Sequence, residues 1–441
     1  MLLVNATAIH WQPEPAVVPG TAVYFESGKI VAVGPSADLL ARYPEAQRLD
    51  AAGLWLLPGM VCAHTHLYSA FARGLVLPGE PPADFPGILR RLWWRLDRAL
   101  GYDDIRYSAL VVLVDCIRHG VTTLFDHHSS PTAARFSLDV LAEAVLEAGV
   151  NACLCYEISD RDGPASASDG LAENVRFLES RHVRTPQLRA QIGLHASMTL
   201  SHATVKRAVE AERSFGVGFH VHVAESQADV STTLREHGVR VVERWYREGV
   251  LGPRTVAAHC VHVDDEEIAL LKDTRTRVVH NARSNMNNGV GTAPVVRMLQ
   301  RGLPVGLGND GFNQNLFQEL QAAFLLPKLA DGDPRSGSVS QYADLLLRHN
   351  PRTAEAAFGL PSGRIEVGAP ADLILVRYDP PTPVTAANLA GHMLFGLPSS
   401  QVDTTIAAGR LLMRHGELGT LDEAAISAQA RELAAELWRR I

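Results

Sequence analysis

The chain lacks any Cys-x-x-Cys pair, and its five cysteines (Cys62, Cys116, Cys153, Cys155 and Cys260) are scattered and odd in number. This argues against a disulfide framework or a thiolate zinc ribbon and makes a reducing cytoplasm the expected compartment. No stretch of about 18 uninterrupted apolar residues occurs, so no membrane span is expected. The opening Met1-Leu2-Leu3-Val4 has no basic segment followed by an apolar one, and no signal peptide is expected. There is no basic run either. With a formal net charge of -7 and a pI near 6.2, binding to nucleic acid through phosphate neutralisation is not expected. A small neutral or weakly charged substrate suits that balance better than a polyanion.

What is present has the profile of an ordinary globular protein: 441 residues, 46% hydrophobic and 20% charged. That length suits a barrel of roughly 250 to 300 residues with a smaller companion domain. Both ends read as strands. Thr21 to Phe25 and Lys29 to Gly34 flank a Ser27-Gly28 turn, Asp403 to Ala408 and Arg410 to Arg414 flank Gly409, and Ala371 to Val376 is a further apolar strand. One small β-sandwich built from residues 1–57 and 369–441 accounts for this, with an amphipathic helix over Leu421 to Arg439. Between the ends, short apolar runs alternate with amphipathic stretches. The runs are Leu56–Ala63, Val121–Phe125, Asn151–Tyr156, Gln191–Leu194, Val217–Val223, Thr255–Ala258, Arg277–Val279 and Val305–Gly308. Eight β/α repeats with near-continuous apolar strands predict an α/β fold, a parallel (β/α)8 TIM-like barrel over 58–368. A long Pro- and Gly-rich segment, from about Ala72 to Gly101, follows the first run and carries Leu92-Trp93-Trp94. It reads as a packing insertion or as a lid that stacks an aromatic ring on a planar substrate.

Active sites of such barrels lie at the C-terminal ends of the strands. Here those ends are His64-Thr65-His66, Asp126-His127-His128, His195, His222-Val-Ala-Glu225, His259, His280-Asn281 and Asn309-Asp310. Histidines scattered through a core would not all choose one end. His64 and His66, two apart on a strand, point to one face and can reach one ion. By itself the motif says little, since about 0.7 H-x-H pairs would arise by chance in a chain this rich in histidine. His220-Val-His222 is a second such pair.

Neutral imidazoles with one carboxylate suit zinc or iron, and three histidines with Asp310 leave a coordination place for water. Such an ion lowers the pKa of water toward neutrality, and Asp310 can accept the proton. The alternative for Asp310 is a turn residue in Gly308-Asn-Asp-Gly311. Glu225 reads as the proton carrier to a ring nitrogen, against the alternative of a helix-capping carboxylate. Of His259 and His262, three apart, His259 is taken as the inward one, stabilising the developing oxyanion. His128, His195 and His280 are pocket-lining candidates, and His119, His182 and His237 are expected at solvated positions. Cys153 and Cys155 read as small core residues.

Pro-Gly-Met-Val-Cys-Ala-His64-Thr-His66, His222-Val-Ala-Glu225, Ala-His259-Cys-Val-His262, His280-Asn-Ala-Arg-Ser284-Asn285 and Gly-Leu-Gly-Asn-Asp310-Gly together resemble the amidohydrolase superfamily. More narrowly they resemble its cytosine deaminase and triazine hydrolase (ATZ/TRZ) branch. Gly363-Arg-Ile-Glu-Val-Gly-Ala-Pro-Ala-Asp372-Leu is similar to that family's return into its β-sandwich. Phe125-Asp-His-His128 and Leu194-His-Ala-Ser-Met-Thr-Leu-Ser201 look most like the SsnA-type aminohydrolases. The resemblance implies a distorted barrel and one divalent ion, zinc or iron, held by His64, His66, His222 and Asp310. It implies Glu225 as proton shuttle and His259 beside the activated water, with Asp310 also catalytic. Substrate contacts are expected from Tyr68, Trp93, His195, His280 and Asn281. No lysine ends the fourth run, so the carbamylated-lysine, binuclear members match less well. Ala282 and Arg283 stand where the branch usually has proline, and Asn309 where a small hydroxyl residue is commoner. These three are expected to line the pocket. Tyr68-Ser69 departs from the guanine deaminase pattern.

The expected reaction is hydrolytic deamination of a nitrogen heterocycle (a purine, pyrimidine, pterin or triazine), hydroxide attacking an amidine-like carbon with release of ammonia. The alternatives are a chlorohydrolase or cyclic-amide hydrolase using the same site, and a non-catalytic barrel that has lost an acid or a ligand. A homodimer is the base-rate expectation.

Overall fold

The computed structural model describes all 441 residues. The apolar runs of the middle of the chain become eight parallel strands: β1 (Met60–Thr65), β2 (Val121–His128), β3 (Asn151–Ile158), β4 (Ile192–Leu194), β5 (Phe219–Val223), β6 (Val256–His259), β7 (Arg277–His280) and β8 (Val305–Leu307). Each pairs with the next in chain order, and a short extra strand, Leu188–Ala190, lies on β3 just before β4. Nearly every residue along them is buried, because helices cover the outside and side chains fill the lumen. No helix is long and apolar enough to cross a membrane.

Between β8 and β1 the ring closes through one backbone bridge, Thr65 to Asp310, rather than through a ladder. Asn350, fully buried, staples this seam. Its side-chain oxygen accepts from the Leu307 N–H at 2.7 Å, and its amide donates to the carbonyls of Val61 (2.6 Å) and Leu307 (2.8 Å). Gly306 leaves room for it, since a Cβ there would sit 2.5 Å from Asn350 Oδ1.

Both chain ends enter a single nine-stranded sheet. Its order is Glu417–Leu418, Arg410–Arg414, Gln401–Ala407, Leu373–Arg377, Trp55–Pro58, Leu2–His10, Ala16–Glu26 and Lys29–Pro35, with Arg48–Asp50 beside Leu2–His10. Three hairpins in it turn through two residues of positive φ, Ser27-Gly28, Ala408-Gly409 and His415-Gly416, as the twist of paired strands favours. Leu3, Val23, Phe25, Leu56, Leu373 and Ile406, drawn from both ends, share one apolar cluster.

Three expectations change. The run Leu56–Ala63 is split at Gly59: its first half pairs with Leu373–Arg377 and its second becomes β1. Both halves are buried, so the apolar run conceals the change of sheet. The final helix, Glu423–Trp438, lies against the barrel helix Tyr102–Arg118. Glu423 pairs with Arg118, Arg440 with Asp104 at 2.6 Å, and Trp438 Nε1 donates to the Phe71 carbonyl at 2.7 Å. His182, expected at a solvated position, is buried, stacked on Phe177 and 3.2 Å from Asp139, while His119 and His237 are half-buried. A 3-10 turn over His182–Arg184 folds it back under the preceding helix.

The seam yields a test. Asn350→Ala leaves the Leu307 N–H and two carbonyls without their side-chain partner in a dry core and is expected to cost about 3 kcal/mol, read as a lowered denaturation midpoint. An unchanged midpoint would show that the β8–β1 seam holds without it.

Candidate metal centre and substrate pocket

At the C-terminal ends of β1, β5 and β8, four donor atoms converge. His66 Nε2 lies 2.9 Å and His64 Nε2 3.4 Å from Asp310 Oδ1, and His222 Nε2 lies 3.2 Å from His66 Nε2. The ligating atoms of all four residues fall within 4.8 Å of one another. Behind them, each ring is anchored through Nδ1: His66 to the His127 carbonyl (2.5 Å), His222 to the His195 carbonyl (2.9 Å) and His64 to His220 Nε2 (2.8 Å). A carbonyl only accepts, so the Nδ1 of His66 and of His222 carries a hydrogen and Nε2 faces the common centre.

Asp310 follows β8 in a left-handed conformation (φ 55), which turns its carboxylate back over the lumen. Its main-chain oxygen accepts from the His66 N–H and the Thr65 hydroxyl, both at 3.0 Å, and Ser284 Oγ donates to Oδ2 at 2.5 Å. Burial works against its charge, but the adjacent imidazoles of His64 and His66 outweigh it and hold the carboxyl well below its usual range. Burial likewise opposes a charge on His66, yet the hydrogen bond and charge of Asp310 hold that imidazolium up to about 9. Burial pushes His64 down to about 3, and its Nε2 is buried with no hydrogen-bond partner. An orphaned ring nitrogen, two further imidazoles and an ionised carboxylate around one point fit a borderline divalent ion.

Glu225 and His259 flank these donors. Glu225 is almost buried, 3.8 Å from His259 Nδ1 and 3.5 Å from Asn288 Nδ2, and burial pushes it up to about 7. A carboxyl poised there can take up and release a proton near neutral pH. His259 ends β6 with φ 71, a turn that breaks strand alternation. Asn285 Oδ1 lies 2.8 Å from its Nδ1, and its Nε2 is buried without a partner. Beyond that turn His262 faces away, its Nε2 2.7 Å from the Val290 carbonyl.

A cavity opens above, lined by His66, His222, Glu225 and Asp310 and by Phe85, Trp93, Trp94 and Met198. The segment after β1 supplies most of that wall. It contains helices at Phe85–Ile88 and Trp94–Ala99 joined by a π-helical turn, Leu89–Trp93, a form that recurs at functional sites. Tyr68, Trp93 and His195 line the cavity; His280, Asn281 and His128 do not. The correction has a local cause. The chain enters the helix Ala282–Asn287 directly after Asn281, and it is Ser284, Asn285 and Asn288, one face of that helix and its end, that reach the site. His128 is turned to Ser130 Oγ at 2.9 Å. Arg283 and Asn309 are also absent from the lining: Arg283 pairs with Glu319 at 2.5 Å, and Asn309 Nδ2 caps the Phe312 and Asn313 carbonyls. Ala282 is buried beside them.

Sequence reasoning missed a charged group on the cavity lining. Arg161 joins Asp97, Glu157 (2.8 Å) and Ser129 Oγ (2.9 Å), with its guanidinium 5.5 Å from the centre of the Trp94 ring. Burial raises Asp97 to about 7, whereas His195, Arg161 and His127 overcome burial and keep Glu157 well below its usual range. His127 Nδ1 lies 3.3 Å from Glu157, and its Nε2 donates to the carbonyls of Leu194 and His220, both at 3.1 Å. His127, Glu157 and His222 also come close enough to hold an ion. Glu157 is committed to Arg161, however, and His222 Nδ1 to the His195 carbonyl. The spacing of Glu157 and Arg161, just past the third run, was the only signal in the sequence.

A profile of the amidohydrolase family matches residues 55–412, and an imidazolonepropionase-like composite domain of bacteria matches residues 22–46. The chain is 32% identical over 424 residues to the 5-methylthioadenosine/S-adenosylhomocysteine deaminase of Desulforudis audaxviator, covering 94% of each. It is 33% identical over 394 residues to the 5'-deoxyadenosine deaminase of Methanothermobacter thermautotrophicus, covering 88% of this chain and 89% of that one. Among solved structures, an adenosine deaminase from Xanthomonas campestris with bound zinc has a TM-score of 0.87 at 24% identity, over 100% of this chain and 98% of that one. Atrazine chlorohydrolase TrzN from Arthrobacter aurescens, complexed with zinc, has a TM-score of 0.83 at 21% identity, over 98% and 99%. At these identities the two structures speak to the fold alone.

The converging donors predict one divalent ion per chain. Asp310→Asn keeps the shape but removes the only carboxylate among them and is expected to weaken zinc binding about tenfold or more, measured by competition with a chelator. Affinity equal to wild type would exclude Asp310 as a ligand.

Proposed function

The chain belongs to the amidohydrolase family and is a hydrolytic deaminase acting on carbon–nitrogen bonds of cyclic amidines; from that premise we propose that its substrate is an aminopurine nucleoside and its ion zinc. The observation that carries the reading is the meeting of Glu225, pushed up to about 7, with three imidazoles and a carboxylate on the lining of one cavity. Relatives about a third identical over most of the chain carry the names of deaminases of adenine nucleosides. Two further lining residues support the sugar. Asp97 Oδ1 and Trp94 Nε1 are buried without partners on residues that line the cavity, an acceptor and a donor that suit hydroxyl groups. Trp93 and Tyr68 supply flat apolar surface for the base.

A zinc ion held by His64, His66, His222 and Asp310 supplies Lewis acidity and brings the ionisation of water toward neutral pH. The protein's own groups account for the protons. Asp310, fixed at Oδ2 by Ser284, takes one proton from the attacking water as its oxygen bonds to the amino-bearing carbon. His259, held by Asn285, directs Nε2 toward that oxygen. Glu225 gives its proton to the neighbouring ring nitrogen. The amino group then takes the proton held by Asp310 and leaves as ammonia, while the hydroxyl proton passes to Glu225 and the carbon becomes a carbonyl, so both carboxyl groups return to their starting state. A chlorohydrolase would release chloride from the same site, so the product separates the two readings.

Residues 58–368 form the catalytic unit in this reading, with 1–57 and 369–441 as its companion. Five buried free thiols suit a reducing cytoplasm, and a homodimer is the expected assembly.

Glu225→Gln should lower kcat for ammonia release from adenosine or 5'-deoxyadenosine by about 10²- to 10⁴-fold while the bound zinc is retained. Loss of zinc in parallel would make Glu225 a ligand instead. Asp97→Asn should raise KM for the nucleoside and leave that for free adenine unchanged. Wild-type protein that deaminates adenine as well as the nucleoside would sink the sugar assignment.

A further inference from the structure

Two of the three converging imidazoles lean on main chain. The carbonyls that hold His66 and His222 belong to His127 and His195 and are there whatever side chains those positions carry. His64 differs. Its Nδ1 faces a side chain, Nε2 of His220, at 2.8 Å. His220 sits on β5 two residues before His222, so both rings enter the lumen. In a ring of eight strands β5 stands opposite β1, and the contact crosses the middle of the barrel. The ring centres of His64 and His220 are 4.9 Å apart, and both residues are fully buried.

The other nitrogen of His220 has no use of its own. Nδ1 is buried without a hydrogen-bond partner, a costly arrangement that an apolar side chain of similar volume would avoid. What an apolar side chain could not do is accept from His64 Nδ1. We propose that His220 is a positioning residue of the metal centre: by accepting at Nδ1 of His64 it holds that ring in the tautomer and orientation that aim Nε2 at the ion. The inference rests on the assignment of His64, His66, His222 and Asp310 as ligands.

Zinc affinity, measured by chelator competition on metal-depleted wild type, His220→Leu and His220→Gln, tests it without recourse to activity. Leucine fills the space and accepts nothing; the glutamine side-chain oxygen can accept. His220→Leu should bind zinc roughly tenfold to a hundredfold more weakly, and His220→Gln should recover most of that loss. Thermal melts of the metal-free proteins check that each folds, and His220→Met replaces His220→Leu should the latter not fold. Wild-type affinity in His220→Leu overturns the proposal. So does His220→Gln binding as weakly as His220→Leu, because the ring's shape rather than its acceptor would then matter. Wild type that binds no zinc overturns the ligand assignment itself, and this inference with it.

Discussion

A single backbone bridge, Thr65 to Asp310, closes the barrel, and the chemistry of the mouth is organised around it. Thr65 stands between the two histidines of β1, and Asp310 supplies the only carboxylate facing them. The hydrogen bonds that bring the last strand home therefore also set the distance between an acidic oxygen and two imidazoles. The left-handed turn at Asp310 is strained for a residue with a side chain, yet it is held from three sides, by Thr65, His66 and Ser284. Asn350 serves the same seam lower down, where no metal chemistry is at stake.

Burial does much of the electrostatic work. The same desolvation that drives His64 down raises Glu225, and in both cases it favours the neutral form. Only groups with a nearby opposite charge escape it. Asp310 stays ionised beside His66, and Glu157 stays ionised beside Arg161. One cavity thus holds a neutral acid and an anion, both carboxyl groups, distinguished by their neighbours.

Much of this was legible in the sequence. Strands buried on both faces write themselves as continuous apolar runs, so all eight were visible, and a histidine or acid at the end of such a run is out of place unless it faces the lumen. The rule failed where it lacked depth. It placed His280 and Asn281 at the mouth because they end a strand, but a helix begins at once and buries them. It treated His220-Val-His222 as a chance pair, since periodicity says that two rings share a face and not how far each lies from the ion. Glu157, an acid directly after the third run, fitted the rule and was passed over, while Asp97 and Arg161 were invisible for another reason. Carboxylates and arginines outside regular apolar runs resemble solvated surface, and only the folded chain shows that these three meet away from water. The split at Gly59 escaped notice because both halves of one apolar run are buried, which leaves no break in the pattern.

Seen from the ribosome, the late closure sets an order of events. Thr65 waits for a partner 245 residues further on, and the staple at Asn350 comes later still. The stretch just after His66 is finally tethered by Trp438, 367 residues beyond Phe71. A nascent chain can pair β1 with β2 and pack its early helices as they emerge, but it has no closed ring, and so no complete donor set, until most of the polypeptide has been made. During synthesis the paired histidines of β1 are therefore exposed to whatever metal ions surround the nascent chain before the geometry that would select among those metals exists.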